Sequence, residues 1–252
     1  MTDWYRNTEW NSEIAEAFEA RLARSRSQKA QYLRIQGVTL ASSHPDVAID
    51  LLERCASIGD DFETAPALAS IATIWLGRGE LEPALAALER ATIQEERVPD
   101  VSTNAPRDFC FLVTLHEQTD RYDRALRILR WLPPVSFGAA GYAQNGALAV
   151  ILFHRNETEK AAAHAEQALS AALDRETPLA GKLTMHPDAI VKQIDNPFTK
   201  RLLKILEAGK ARARARKLRA VSGTAVTRPG MQPTADLPET RRDVRSWLQA
   251  VV

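Results

Sequence analysis

Apolar residues return at every third or fourth position along most of the chain, with polar residues between them, which is the period of a helix that buries one face. Over residues 12–27 the apolar positions are Ile14, Phe18 and Leu22, with Trp10 just ahead and Glu and Arg in the gaps. Residues 29–42 carry Tyr32, Leu33, Ile35, Val38 and Leu40 and stop at Ser-Ser-His-Pro. Ser43, with Pro45 in the first turn, reads as the start signal of the next helix, whose face is Val47, Ile49, Leu51, Leu52 and Cys55. Gly59 ends that helix, and Asp60-x-x-Glu63 reads as a capping box that opens another. The predicted unit is helix, short turn, helix.

That unit recurs. Aligned on a small residue in the second helix of each pair, Ala48, Ala84, Ala125 and Ala161 stand 36, 41 and 36 residues apart. Four positions later come Leu52, Leu88, Leu129 and Ala165, and three beyond those Cys55, Ala91, Leu132 and Ala168. Small side chains there let two antiparallel helices approach closely, while larger ones fill the space against the next pair. Composition agrees: 40 of the 252 residues are Ala, the best helix former, whereas Gly and Pro number only 11 and 13. The predicted fold is all-α. An irregular Ala-rich bundle fits the same composition and stays open as the alternative.

The segment Ile71-Ala72-x-x-Trp75-x-x-x-Gly79-Glu80-Leu81-Glu82-Pro83-Ala84-x-x-x-Leu88-x-x-Ala91, followed by Pro99, resembles a tetratricopeptide repeat. Asp120-Arg121-Tyr122-Asp123-Arg124-Ala125 and Asn156-Glu157-Thr158-Glu159-Lys160-Ala161 resemble the same turn without its Gly, where Asp or Asn can supply a cap. The resemblance runs over residues 29–178, and residues 1–28 resemble the opening of uncharacterised bacterial repeat proteins, which transfers no activity. It implies antiparallel helix pairs stacked as a short right-handed solenoid, with the segment 1–28 capping it. The cluster Trp4, Tyr5 and Trp10 is expected to pack that open end; exposed, it would be an interface hot spot.

In that family the first helix of each pair lines a concave groove that holds peptides or partner helices. Carried over position by position, the groove takes Leu33, Gly37, Leu40 and Ala41, then Ala69, Thr73, Leu76 and Gly77. The third pair adds Arg107, Cys110, Thr114, Glu117 and Gln118, and the fourth Gly146, Val150, Phe153 and His154. The Lys/Asn set with which some members clamp a terminal carboxylate is missing from these positions. What remains suits an amphipathic helix or the edge of a globular partner. The same small residues also suit packing against the next repeat, so both readings stay open.

Beyond Glu176 the period breaks at Pro178, Gly181 and Pro187, within a capping region 179–219. Asn196-Pro197 then starts a helix with Phe198, Leu202, Leu203, Ile205 and Leu206, expected to close the last face of the stack. Its continuation is basic: Arg201, Lys204, Lys210, Arg212, Arg214, Arg216, Lys217 and Arg219 against the single acid Glu207. Residues 220–236 read as a flexible linker and 237–252 as a short amphipathic helix with Val244, Trp247, Leu248 and Val251 on one face, expected to dock on the chain itself or on a partner.

Charge sharpens this division. The net charge is +1, yet residues 1–200 hold 21 basic against 28 acidic side chains and residues 201–252 hold 12 against 4. No run of about 18 apolar residues and no basic-then-apolar leader is present, so a cytoplasmic chain is expected. Cys55 and Cys110 form no CxxC, and the histidines (44, 116, 154, 164, 186) keep no metal-ligand spacing, so no metal or cofactor is expected. Nucleotide-loop and nucleophile-elbow motifs are absent. The expectation is a non-catalytic adaptor that binds another protein in its groove, one version being an immunity-type protein that neutralises a cytosolic toxin. The alternative is a nucleic-acid-associated protein that uses the basic helix 201–219.

Overall fold

The computed structural model describes residues 3–173 and 197–223, with side chains of the last helix described as far as Leu218. The region 179–196, nearly all of the linker and the docking face Val244, Trp247, Leu248 and Val251 lie outside the described residues, as does the side chain of Arg219. Among the described residues the helices are α1 (Ser12–Arg24), α2 (Lys29–Leu40), α3 (Pro45–Ile58), α4 (Thr64–Gly77), α5 (Leu81–Arg97), α6 (Ala105–Leu115), α7 (Tyr122–Trp131), α8 (Gly138–His154), α9 (Thr158–Leu173) and α10 (Pro197–Gly223). A single 3-10 turn, Thr119–Arg121, precedes α7. The chain divides into two compact units, Met1–Ala213 and Arg214–Val252.

Local chemistry sets the helix ends. Asn11 caps α1 by accepting from the Ile14 amide at 2.9 Å. Gly59 ends α3 at φ 74°, a left-handed conformation. Ser43 does not cap α3 as expected: its hydroxyl donates to the Thr8 carbonyl at 3.3 Å, and His44 occupies the cap position without a side-chain capping bond. The predicted capping box is half made. Asp60 Oδ1 accepts from the amides of Phe62 and Glu63 at 2.9 and 3.0 Å, but the Glu63 carboxylate turns away to Arg34 of α2.

Helices adjacent in sequence pack on one another, and the short turns between them make α2/α3, α4/α5, α6/α7 and α8/α9 antiparallel pairs. Each pair also packs on the next, through α3 on α4, α5 on α6 and α6 on α8, so the whole is a stack of helical hairpins. Ala48, Ala84, Ala125 and Ala161 are completely buried, as their predicted packing role requires. Leu52, Leu88, Leu129 and Ala165 are buried beside them. Leu132 departs from its series: it stands just past the end of α7 in extended backbone ahead of Pro133-Pro134 and is only half-buried.

The hairpin turns share one geometry. At the ends of α4, α6 and α8 the amides of Glu80, Gln118 and Glu157 each reach back five residues, to the carbonyls of Trp75, Val113 and Leu152, at 2.9 Å. This bond closes over a left-handed residue: Gly79 (φ 77°), Glu117 (φ 55°) and Asn156 (φ 62°). Measured between these residues the repeat is 38 and 39. The uneven spacing of the alanines therefore comes from the 3-10 turn, which adds three residues before α7. Asn156 does what Gly79 does through its backbone φ, not as a side-chain cap.

Ion pairs repeat along the outside. Arg54 of α3 grips Glu19 of α1 with both Nη atoms at 2.7 and 2.9 Å, and Arg90 of α5 grips Glu53 of α3 at 2.7 and 2.8 Å. Arg124 of α7 meets Glu89 and Glu96 of α5 at 3.5 and 2.9 Å. A second row, at the turn end of the hairpins, pairs Arg78 with Asp46 and Arg121 with Glu82, both at 2.6 Å, and Arg155 with Asp123. Each surface pair contributes about 0.2–1 kcal/mol and chiefly fixes register.

At the N-terminal end, Trp4 packs against Tyr5, Phe18 and Tyr32 with ring centroids 5.5, 5.4 and 4.8 Å away, and Trp10 lies 5.6 Å from Phe18. The buried Gln36 amide fastens the strip to α2: its Oε1 accepts from the Asn7 amide at 2.9 Å and its Nε2 donates to the Asn7 carbonyl at 2.7 Å.

Candidate functional site: the first-helix face

Residues on successive first helices can be compared by their distance from the left-handed turn residue. Leu76, Thr114 and Phe153 each precede it by three and are equivalent, but they differ in exposure: 39%, 0% and 41%. Leu76 and Phe153 are open. Thr114 is closed, its hydroxyl bonded to the carbonyls of Cys110 and Phe111 at 3.0 and 2.9 Å.

α10 accounts for much of this difference. Phe198 packs edge-on to Phe111 of α6 at 5.1 Å and to Tyr142 of α8 at 5.9 Å. It fits because position 146 is Gly, where a Cβ would stand 2.7 Å from the Phe198 ring. Tyr142 Oη and Thr199 Oγ1 are hydrogen-bonded at 2.7 Å. One turn on, the Arg201 guanidinium donates to the Thr114 carbonyl at 2.9 Å and binds the Glu117 carboxylate. Further along, Gly209 presses on Ala162 of α9, and Arg212 donates to Thr158 Oγ1 at 3.0 Å and to the Asn156 carbonyl at 3.4 Å. α10 thus closes the last pair, as expected, and also crosses α8 to reach α6.

The seventeen groove residues expected from the sequence therefore separate: Gly37, Cys110, Gly146 and Val150 are buried, Ala41 and Ala69 half-buried and Gly77 exposed, and the other ten differ among themselves. Leu33 and Leu40 are core residues of the first pair, and Thr114 is buried under the α6 turn, so these three hold the fold and present no surface. Glu117 is exposed but held by Arg201, and the half-buried Gln118 forms the turn through its amide. Arg107 is half-buried, its Nε 3.4 Å from Gln144 Oε1 and its Nη1 3.3 Å from Asn104 Oδ1. Thr73 is exposed, with its hydroxyl on the Ala69 carbonyl at 3.1 Å, and His154 lies edge-on to Tyr122 at 5.1 Å. The open side chains are Thr73, Leu76, Phe153 and His154, to which the structure adds Val38 of α2.

Sequence reasoning missed a polar knot beside this face. Glu95 is buried, accepts from the Thr103 hydroxyl and has its carboxyl pushed up by burial, an effect that Thr103 and Arg107 oppose. Thr103 Oγ1 in turn accepts from the Ala105 amide at 3.0 Å and so starts α6. The signal was available: Glu95 continues the buried stripe of Leu88 and Ala91, where an acid needs a partner. Both cysteines are buried. Desolvation pushes Cys55 up to about 12 and Cys110 well above the usual thiol range, and the Cys110 thiol donates to the Ala125 carbonyl at 3.4 Å. Neither is a nucleophile.

Of the basic patch, Lys210, Arg212, Arg214, Arg216 and Lys217 are exposed. Among the described residues no group of three or more His, Cys, Asp or Glu is placed to hold a metal ion, and no helix is long and apolar enough to cross a membrane. No family model matches the chain, and no curated protein or solved structure matches it either.

Proposed function

We propose that the chain is a non-catalytic, cytoplasmic scaffold of the bacterial tetratricopeptide type that binds another protein on its first-helix face. The observation that carries the reading is the set of open side chains Val38, Thr73 and Leu76 on α2 and α4, two first helices that pack side by side. Val38 and Leu76, with Thr73 one turn before Leu76, offer a small apolar patch to the apolar face of an amphipathic helix. An assembly adaptor and an immunity-type antagonist of a cytosolic toxin are both versions of this activity. With α10 resting on α6 and α8, the partner's place is the α2–α4 half.

The test is affinity capture from the native host with the full chain and with Thr73→Arg/Leu76→Glu, followed by titration of the purified partner. Both substitutions are at exposed positions and leave the helical circular dichroism unchanged. The expected result is a partner whose affinity falls at least ten-fold for the variant. Equal binding by the two proteins overturns the assignment of this face.

A further inference from the structure

The outer face of α1 carries a charge pattern that is its own complement. Along the helix its positions are Glu13, Glu16, Ala17, Ala20, Arg21 and Arg24, all of them exposed. At about 100° per residue they fall within an arc of about 140°, on the side away from the buried Phe18 and Leu22. None of the four charges has an ion-pair partner among the described residues, whereas Glu19, the remaining acid of α1, is taken by Arg54. Nor do the four satisfy one another along the helix. The positions four residues after Glu13 and Glu16, and four before Arg21 and Arg24, are Ala17 and Ala20 in both cases. The neighbours three apart, Glu13 with Glu16 and Arg21 with Arg24, have like charge. The macrodipole favours acids at the start of a helix and cations at its end, but it supplies neither with a partner.

Turned end to end, the order acid, acid, Ala, Ala, Arg, Arg becomes its own opposite in charge. We propose that this face of α1 is a homodimer surface, on which α1 of a second copy lies antiparallel across a two-fold axis. Glu13 then meets Arg24 of the partner subunit, and Glu16 meets Arg21 of the partner subunit. The same register sets Ala17 against Ala20 at the centre, where small side chains let the helix axes approach to about 8 Å and bring the longer charged chains within reach. Each contact is made twice, as an isologous interface requires. A parallel arrangement is repelled, because it sets acid on acid and Arg on Arg. A partner that is acidic or basic throughout satisfies only half of the face. The 13 residues of α1 are fewer than the roughly 20–30 a side of a standard interface, so the dimer is reversible and depends on concentration. This face shares no residue with the open set Val38, Thr73 and Leu76, so the dimer does not depend on how that set is used.

The experiment is sedimentation equilibrium of the full chain, from micromolar to near-millimolar concentration, at about 0.05 and 0.5 M salt. The expected result is a monomer–dimer equilibrium that the higher salt weakens at least about three-fold. Two charge-reversed variants, Glu13→Arg/Glu16→Arg and Arg21→Glu/Arg24→Glu, should each dimerise at least about ten-fold more weakly than the wild-type protein, because like charges now face each other. Mixed in equal amounts they should form a heterodimer to within about three-fold of the wild-type affinity, since every reversed charge regains an opposite one. Recovery in the mixture requires both variants to be folded, so misfolding cannot imitate it. The neutral pair Arg21→Gln/Arg24→Gln adds no repulsion at exposed positions and should weaken the dimer at least about three-fold. A chain that stays monomeric at the highest concentration, a dimer indifferent to salt or to the neutral pair, or folded reversed variants that do not recover on mixing each overturns the proposal.

Discussion

Gly209 of α10 lies so close to Ala162 of α9 that a Cβ at position 209 would stand 2.1 Å from the Ala162 methyl. The last helix therefore rests on the stack at a point where one methyl group is too many. We expect Gly209→Ala to destabilise the protein although Ala is the better helix former, because overpacking costs about 1–3 kcal/mol against about 1 kcal/mol of gained propensity. Ala162→Gly should restore the fit, giving a coupling of about 1–2 kcal/mol in a double-mutant cycle followed by urea unfolding. Strictly additive effects would show that the two helices do not meet there.

The hairpin turns make a cleaner comparison. Gly79 and Asn156 occupy the same left-handed position in the first and third of these turns, and a Cβ on Gly79 would touch nothing within 4 Å. Gly79→Ala therefore isolates backbone strain, with an expected loss of about 1–2 kcal/mol. Asn156→Gly removes strain from the equivalent turn and should leave stability unchanged or raise it by a few tenths of a kcal/mol. Thermal unfolding of the two variants in parallel checks the pair, and a loss from Asn156→Gly as large as that from Gly79→Ala would count against a shared turn geometry.

How far the sequence reveals this arrangement depends on what each residue announces locally. Gly59 and Gly79 declare their turns because Gly is the default left-handed residue, and the buried alanines declare the helix pairs by spacing alone. Glu117 declares nothing, since Glu has no preference for that conformation, so the third repeat looked like an irregular one centred on Asp120. Counting back from the turn residue, not from the alanine of the second helix, is what makes Leu76, Thr114 and Phe153 equivalent. Arg201 was visible only as one of eight basic residues, and its reach to Thr114 and Glu117 is a contact across 87 and 84 residues that no periodicity encodes. The ion-pair rows fall in the same class: each charge reads as a solvated face until the stack sets it opposite its partner.

The pH dependence of stability should carry a signature of His164. Its Nδ1 stands 3.1 Å from Asn145 Oδ1, and Asn145 Nδ2 donates to the carbonyls of Val135 and Gly141, which fixes Oδ1 as the acceptor and Nδ1–H as the donor. Burial lowers the His164 pKa from its ordinary value of 6.5, with Gln167 opposing. The unfolded chain therefore binds the proton first. His164 contributes stability that is complete above about pH 6.5 and is lost as pH falls through the depressed folded value. His164→Gln can keep a donor to Asn145 without titrating. The stability of the wild-type protein relative to this variant should then fall between pH 7.5 and 5 in chemical denaturation, and a constant difference across that range rules the linkage out.

The repeated ion pairs make the hairpins interchangeable parts. Excising α4 and α5 would bring Arg121 against Asp46 in place of Glu82, and Arg124 against Glu53 in place of Glu89, a carboxylate for a carboxylate in both rows. The same cut would leave α10 undisturbed on α6, α8 and α9. Excising α6 and α7 is different, because Thr73 and Gly79 stand in the register of Phe111 and Glu117, so Phe198 would lose the ring of α6 and Arg201 its carboxylate. Length can thus be edited in the first half of the stack, whereas the second half is locked at two hairpins by the helix that straps it.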